Sequence, residues 1–181
     1  SLREAKASIY AGKVKIDGVV RKSLHHAIGL MDVIELENVS DIYRLVPTEG
    51  KILKPIKINE SEKSKKLVRV VTKTSINKET TQTGFHDGRS TLAEVKAGVG
   101  DTCVMQIPDQ KILDIIKLEA GCQGLVVRGI NAGQIGKVES VEEGTFILPK
   151  RVILILGDKK IEIPADIIMP IGKEEPVIQL K

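Results

Sequence analysis

The sequence predicts a mainly β (α+β) fold, and three observations carry that expectation. Apolar and polar residues alternate over short runs such as Lys13-Val14-Lys15-Ile16 and Lys160-Ile161-Glu162-Ile163, the period of a strand with one buried face. Turn pairs such as Asp17-Gly18, Asp87-Gly88 and Gly157-Asp158 punctuate those runs, as hairpins require. Hydrophobic residues make up 41% of the 181 while aromatics supply only 2%, with no Trp, so Ile, Val and Leu must fill the core, and β-branched residues favour strands. The length allows one large domain or two to three small ones.

The net charge of +4 and pI near 9.0 permit a nucleic-acid partner without demanding one. The surplus sits early, with 14 Lys and Arg against 9 Asp and Glu in residues 1–70.

In order, Arg3 to Tyr10 reads as a helix with Ala5 and Ile9 four residues apart on one face, ended by Gly12. Val14 to Arg21 is a hairpin about Asp17-Gly18, and Ile28 to Leu36 is a further strand entered through Gly29. Residues 42–47 read as a strand stopped by Pro47, a turn follows at 48–51, and alternation resumes over 52–58. Residues 59–66 are polar throughout and predict a helical turn or two, capped by Asn59 or Ser61. Leu67 to Val71 is a strand, and 72–84 a polar strand or loop. Strands are expected again to Pro108 after Gly98, and over Lys111 to Leu118.

The most chemically suggestive stretch is Leu125 to Val141, LVVRGINAGQIGKVESV, with turn glycines at Gly129, Gly133 and Gly136. Its polar groups are backbone amides plus Arg128, Asn131, Gln134 and Lys137, donors suited to phosphate and sugar oxygens. A Walker loop needs Gly-Lys-Ser/Thr opening a helix, whereas Gly136-Lys137 leads into the alternating Val138-Glu139-Ser140-Val141. A dinucleotide fingerprint fails for want of the same helix. A hairpin using glycine for geometry alone fits the spacing equally well. After it, Thr145 to Leu148, Arg151 to Leu156 and Lys160 to Pro164 predict strands that complete a barrel of about five, with an apolar run over 166–172 and residues 173–181 frayed.

Other chemistries are weaker. His86, Asp87 and Arg89 with Cys103 as nucleophile would make a hydrolytic cluster, but the tip of a His-Asp-Gly-Arg hairpin has a simple turn explanation, and the Arg89 fork suits phosphate better. His25-His26 lacks a third ligand at metal spacing. Cys103 and Cys122 read as buried free thiols. Neither a signal peptide nor a membrane-length apolar run is visible, which predicts a soluble cytoplasmic protein.

The glycine element, Gly129-x-x-x-Gly133-x-x-Gly136-x-Val138 after an aliphatic strand, resembles the KOW motif of SH3-like barrels in ribosomal proteins and transcription elongation factors. Residues 2–36, helix, glycine, Lys13-Val14-Lys15-Ile16-Asp17-Gly18 and Asp32-Val33-Ile34-Glu35-Leu36, resemble the second half of the S4-type RNA-binding domain. With Gly29-Leu30-Met31-Asp32-Val33-Ile34, His86-Asp87-Gly88-Arg89, Gly100-Asp101-Thr102 and Ile171-Gly172, the ordered set is similar to the S4e family of small-subunit ribosomal proteins, archaeal and eukaryotic type.

That resemblance implies three units: part of an S4-type module over 1–38, a central β domain over 39–123, and a KOW SH3-like barrel with its tail over 124–181. It also implies an N-terminally truncated chain, since the family's basic N-terminal extension has no counterpart. The expected role is structural, in the cytoplasmic ribosome, without a reaction, cofactor, metal or small-molecule substrate. Small-subunit ribosomal RNA and neighbouring ribosomal proteins are the expected partners. RNA contacts are expected from Lys6, Lys13, Lys15, Arg21, Lys22, His86, Arg89, Arg128 and Lys137, with Asn131 and Gln134 reaching sugar or base edges. The alternative is a KOW-containing transcription elongation factor or an RNA-modification accessory factor.

Overall fold

The computed structural model describes residues 1–76, 80–157 and 159–180. Asn77 to Glu79 within the polar run, Asp158 of the Gly157-Asp158 turn, and Lys181 lie outside them. Helix α1 (Leu2–Tyr10) begins with Ser1 Oγ accepting the Glu4 amide at 3.3 Å, an N-cap that satisfies one of the open amides of the first turn. No residue of α1 is buried, so the Ala5 and Ile9 face stays outside the core. Gly12, at φ +76°, turns the chain away.

The first sheet contains β1 (Val14–Ile16), β2 (Val19–Val20), β3 (Val33–Leu36), β4 (Ile42–Thr48) and β5 (Lys51–Ile58), antiparallel in the order β2-β1-β3-β4-β5. Asp17 and Gly18 both take positive φ, 51° and 77°, as the tightest hairpin turn demands. The expected strand over 28–36 shortens to β3, because Asp32 Oδ2 accepts the Gly29 amide at 2.7 Å and holds 29–32 as a turn. Pro47 does not stop β4. It sits where the register shifts between Val46 and Thr48, a bulge in which a missing N–H leaves no ladder bond unmade. β3 pairs with β4, so this sheet spans the junction at residues 38 and 39.

The second sheet contains β6 (Lys65–Ser75), β7 (Thr81–Phe85), β8 (Ser90–Thr91), β9 (Thr102–Gln106) and β10 (Lys111–Ile116), in the order β10-β9-β6-β7-β8. β6 is long because its first half pairs with β9 and its second with β7. From Val71 onward its residues are exposed, so backbone pairing rather than a buried face makes them strand. The helical segment expected over 59–66 reduces to one 3-10 turn at Glu60–Glu62, and Asn59 makes no side-chain cap. Lys65 and Lys66 belong to β6 instead.

The third sheet contains β11 (Gln123–Val126), β12 (Ile135–Glu142), β13 (Arg151–Leu156), β14 (Lys159–Pro164) and β15 (Ile168–Gly172), in the order β14-β13-β12-β11-β15. Five strands are present, but Thr145 to Leu148 is not one of them. That segment is a loop closed by the Thr145 amide on the Leu148 carbonyl at 2.8 Å, with Phe146 fully exposed at 106%. The expected fraying after Gly172 is also corrected. Gly172 bridges Pro176, the Val177 amide reaches the Ile171 carbonyl at 2.9 Å, and Ile178 is only 3% exposed.

Ile178 belongs to a core shared by the second and third sheets, with Leu67, Val104, Ile116, Leu125, Met169 and Ile171, and closed by Met31 from the turn before β3. Each such aliphatic side chain contributes about 1.5–3 kcal/mol on full burial. Cys103 and Cys122 are buried free thiols. Burial, with Asp101 adding, pushes the Cys103 thiol up to about 11, and the thiolate is the reactive form. Iodoacetamide at neutral pH is therefore expected to leave Cys103 unmodified in the folded protein and to alkylate it in urea. Rapid modification of the native chain, seen by mass spectrometry, would contradict this packing.

Candidate nucleic-acid interface

The glycine element is a tight connection from β11 to β12. The Gly133 amide donates to the Val126 carbonyl at 2.8 Å and the Val126 amide to the Gln134 carbonyl at 3.0 Å, while the Ala132 and Gln134 amides close onto Gly129 and Asn131 at 3.2 Å. Those amides are spent on the turn, so side chains rather than a backbone cradle face a ligand. Gly129 and Gly133 adopt φ +94° and +83°, conformations that cost other residues strain. Gly136 lies inside β12 rather than in the turn. A Cβ there would stand 2.4 Å from the Ile155 carbonyl oxygen of the neighbouring strand, so its glycine answers close packing.

Arg128 and Lys137 are exposed, Asn131 and Gln134 half-buried. Among the described residues neither Arg128 nor Lys137 has an ion pair. At the other end, Lys6, Lys13, Lys15 and Lys22 are exposed and Arg21 is half-buried. Lys15 stands opposite Glu35 across β1 and β3, a pairing that moderates its charge.

His86 and Arg89 are placed differently from the other cations, turned into the joint between the first two sheets. Lys66, 1% exposed, sits there with its ammonium 2.8 Å from Asp17, 2.5 Å from Asp32 and 3.1 Å from Asp87. Arg89 Nη2 pairs with the same Asp17 oxygen at 2.5 Å, and its Nε lies 3.5 Å from Asp87. Burial opposes the charge on Lys66, but Asp17 and Asp32 outweigh it and raise its pKa. Burial likewise opposes ionisation of Asp87, and Lys66 with the Arg89 amide overcomes it and holds the carboxyl below its ordinary range.

The Arg69 amide donates to His86 Nδ1 at 3.0 Å, which leaves the proton on Nε2, 3.3 Å from the Leu30 carbonyl. Burial lowers the His86 pKa, and the ring serves as a neutral strut. Side-chain chemistry here is committed to the fold: two cations hold three carboxylates, and the pocket beside them, about 350 Å³, is lined by both signs.

Sequence reasoning missed Lys66 because it closes a polar run, and missed Arg44 because an arginine inside a strand is ordinarily on the solvent side. Arg44 is wholly buried, with Nη1 3.0 Å from Glu62 Oε2 and Nη2 donating to the Glu62 and Lys65 carbonyls. Among the described residues no group of three or more His, Cys, Asp or Glu could hold a metal ion, and no helix is long and apolar enough to cross a membrane.

The model described as Ribosomal family S4e matches residues 39–112. Small ribosomal subunit protein eS4 of Staphylothermus marinus is 38% identical over 190 residues, covering 98% of this chain and 75% of that protein. The protein of the same name from Methanothermobacter thermautotrophicus is 36% identical, covering 98% and 74%. The chain belongs to the S4e family. The crystal structure of the 30S ribosomal protein S4e from Thermoplasma acidophilum superposes with a TM-score of 0.82 at 30% identity, over 94% of this chain and 86% of that one. Within this S4e chain the cations foreseen from sequence therefore divide. Lys6, Lys13, Lys15, Lys22, Arg128 and Lys137 face solvent, whereas His86 and Arg89 join the sheets.

Proposed function

We propose that this S4e chain is a structural constituent of the small ribosomal subunit, held there by its ribosomal RNA and by neighbouring ribosomal proteins. Membership of a family whose relatives carry the small-subunit name is the observation that carries the reading. Lys6, Lys13, Lys15 and Lys22 on the first helix and hairpin, and Arg128 and Lys137 beside the glycine turn, are the phosphate contacts it assigns, with Arg21, Asn131 and Gln134 in support. The units this reading assigns are a partial S4-type module over 1–38, a central β domain over 39–123 and a KOW barrel over 124–181. The sparse aromatic content suits folded RNA better than single strands stacked on rings. No observation favours a polymerase-bound elongation factor or an RNA-modification accessory factor.

The test is binding to small-subunit ribosomal RNA against total tRNA over a salt series. Preference for ribosomal RNA is expected, with affinity falling steeply as salt rises. Replacing Arg128 and Lys137 together by Ala should lower the log–log salt slope by about 1.4–1.8, roughly 0.7–0.9 for each phosphate no longer neutralised. An unchanged slope would remove the glycine turn from the interface.

A further inference from the structure

We infer that the apolar cleft where the three sheets meet receives one unstacked nucleobase of the RNA, with Arg69 and Arg128 holding the adjoining phosphate. The inference rests on the RNA-binding reading above and deepens it. The cleft is about 700 Å³ and is walled by Leu53, Val71, Phe85, Val127 and Met169, within the about 300–1,000 Å³ range of small-molecule sites. Ile52 at its rim is 90% exposed.

The polar side of the cleft carries two cations. Arg69 Nη1 is fixed on the Asp166 carbonyl, its Nε is buried without a hydrogen-bond partner, and Arg128 is near enough for the two guanidinium groups to repel each other. The Asp166 carboxylate is the counter-charge on that side, one acid against two bases. Like charges gathered beside an apolar hollow are an arrangement that an anion with a flat apolar body completes. A nucleotide has both parts: phosphate accepts the paired N–H groups of a guanidinium fork, and the base offers its face to the aliphatic walls, with Phe85, 5% exposed, closing the bottom of the cleft. His86, at the floor, has both ring nitrogens engaged and leaves no competing charge.

Ultraviolet crosslinking of the full chain bound to small-subunit ribosomal RNA, read by mass spectrometry of the RNA–peptide adducts, tests the placement. Adducts on the peptides carrying Phe85 and Val127 are expected. Val71 is already 43% exposed, so Val71→Glu sets a carboxylate at the rim, where it repels the phosphate and spoils the apolar wall; losing one bound base should weaken ribosomal-RNA binding about tenfold, abolish those adducts and leave the melting temperature in place. Wild-type binding with adducts only elsewhere, or unaltered binding by Val71→Glu, overturns the inference while RNA binding stands; a cleft that takes a protein partner gives that second result. Absence of any preference for ribosomal RNA in the wild type removes the RNA reading and this inference together.

Discussion

Lys66→Met is expected to cost about 3–5 kcal/mol of folding stability at neutral pH, the size of effect seen when one member of a buried charge group is removed. Methionine matches the aliphatic stem, so packing is nearly conserved and the loss is electrostatic. Asp17, Asp32 and Asp87 would then keep Arg89 as their nearest cation, three carboxylates against one guanidinium at a joint that water reaches only from the pocket beside it. Adding Asp32→Asn should recover part of the loss, because that carboxylate pairs with Lys66 and with no other cation in the cluster. Urea unfolding of the two variants measures both, and a deficit below about 1 kcal/mol for Lys66→Met would show that the three carboxylates are solvated by other means.

The same cluster sets a pH window for the wild-type protein. Asp87 is held below its ordinary value of 3.8, so its contribution is complete above that value and is lost as pH falls through the lower folded value. Lys66 is raised above its ordinary 10.5, so its contribution is complete below that value and is lost as pH climbs through the higher folded one. Stability from this pair is therefore level across the neutral range and declines outside both edges. In Lys66→Met the alkaline decline from this site should vanish.

Gly133→Ala is expected to cost about 3 kcal/mol, against about 1 kcal/mol for Gly129→Ala, although both positions have positive φ. A Cβ on Gly129 meets open space. On Gly133 it would stand 2.6 Å from the Pro47 carbonyl oxygen and 2.9 Å from the Thr48 Cα, backbone atoms of the β4 bulge that cannot rotate away. The turn must then lift off the first sheet, so crosslinks or RNA contacts at Arg128 should weaken along with the melting temperature. Equal destabilisation by the two alanines would mean that only the dihedral angle matters and that the packing against β4 is slack.

Local grammar accounts for what the sequence made legible. Asp17-Gly18 specifies its hairpin within four residues, and the alternation of Lys160 to Ile163 needs only a neighbour such as β13. What local grammar leaves open depends on distant partners. Residues 72–84 read as strand or loop, and β7 alongside makes 72–75 strand although their own side chains are exposed. Thr145 to Leu148 is the segment misread: it has strand composition but closes on itself as an exposed loop.

Among the site residues, Arg128 and Lys137 lie on the surface, an orientation that residue type alone does not determine. His86 and Arg89 looked equally free at their own hairpin tip. Only the docking of that tip against Asp17, 72 residues before Arg89 in the chain, commits them to the interior. Lys66 carries the same lesson, since a charge closing a polar run is buried here by aspartates 34 and 49 residues away.

The clasp formed after β15 bears on how the chain matures during synthesis. Ile178 fills the centre shared by the sheets, and the Gln179 amide reaches back 117 residues to the Glu62 carboxylate that anchors Arg44. These residues are translated after β15. A nascent chain can pair its hairpins as they emerge, and Ile178 takes its place among Met31, Leu67 and Ile171 only once this segment has followed. The clasp therefore closes after the strands it touches have been made.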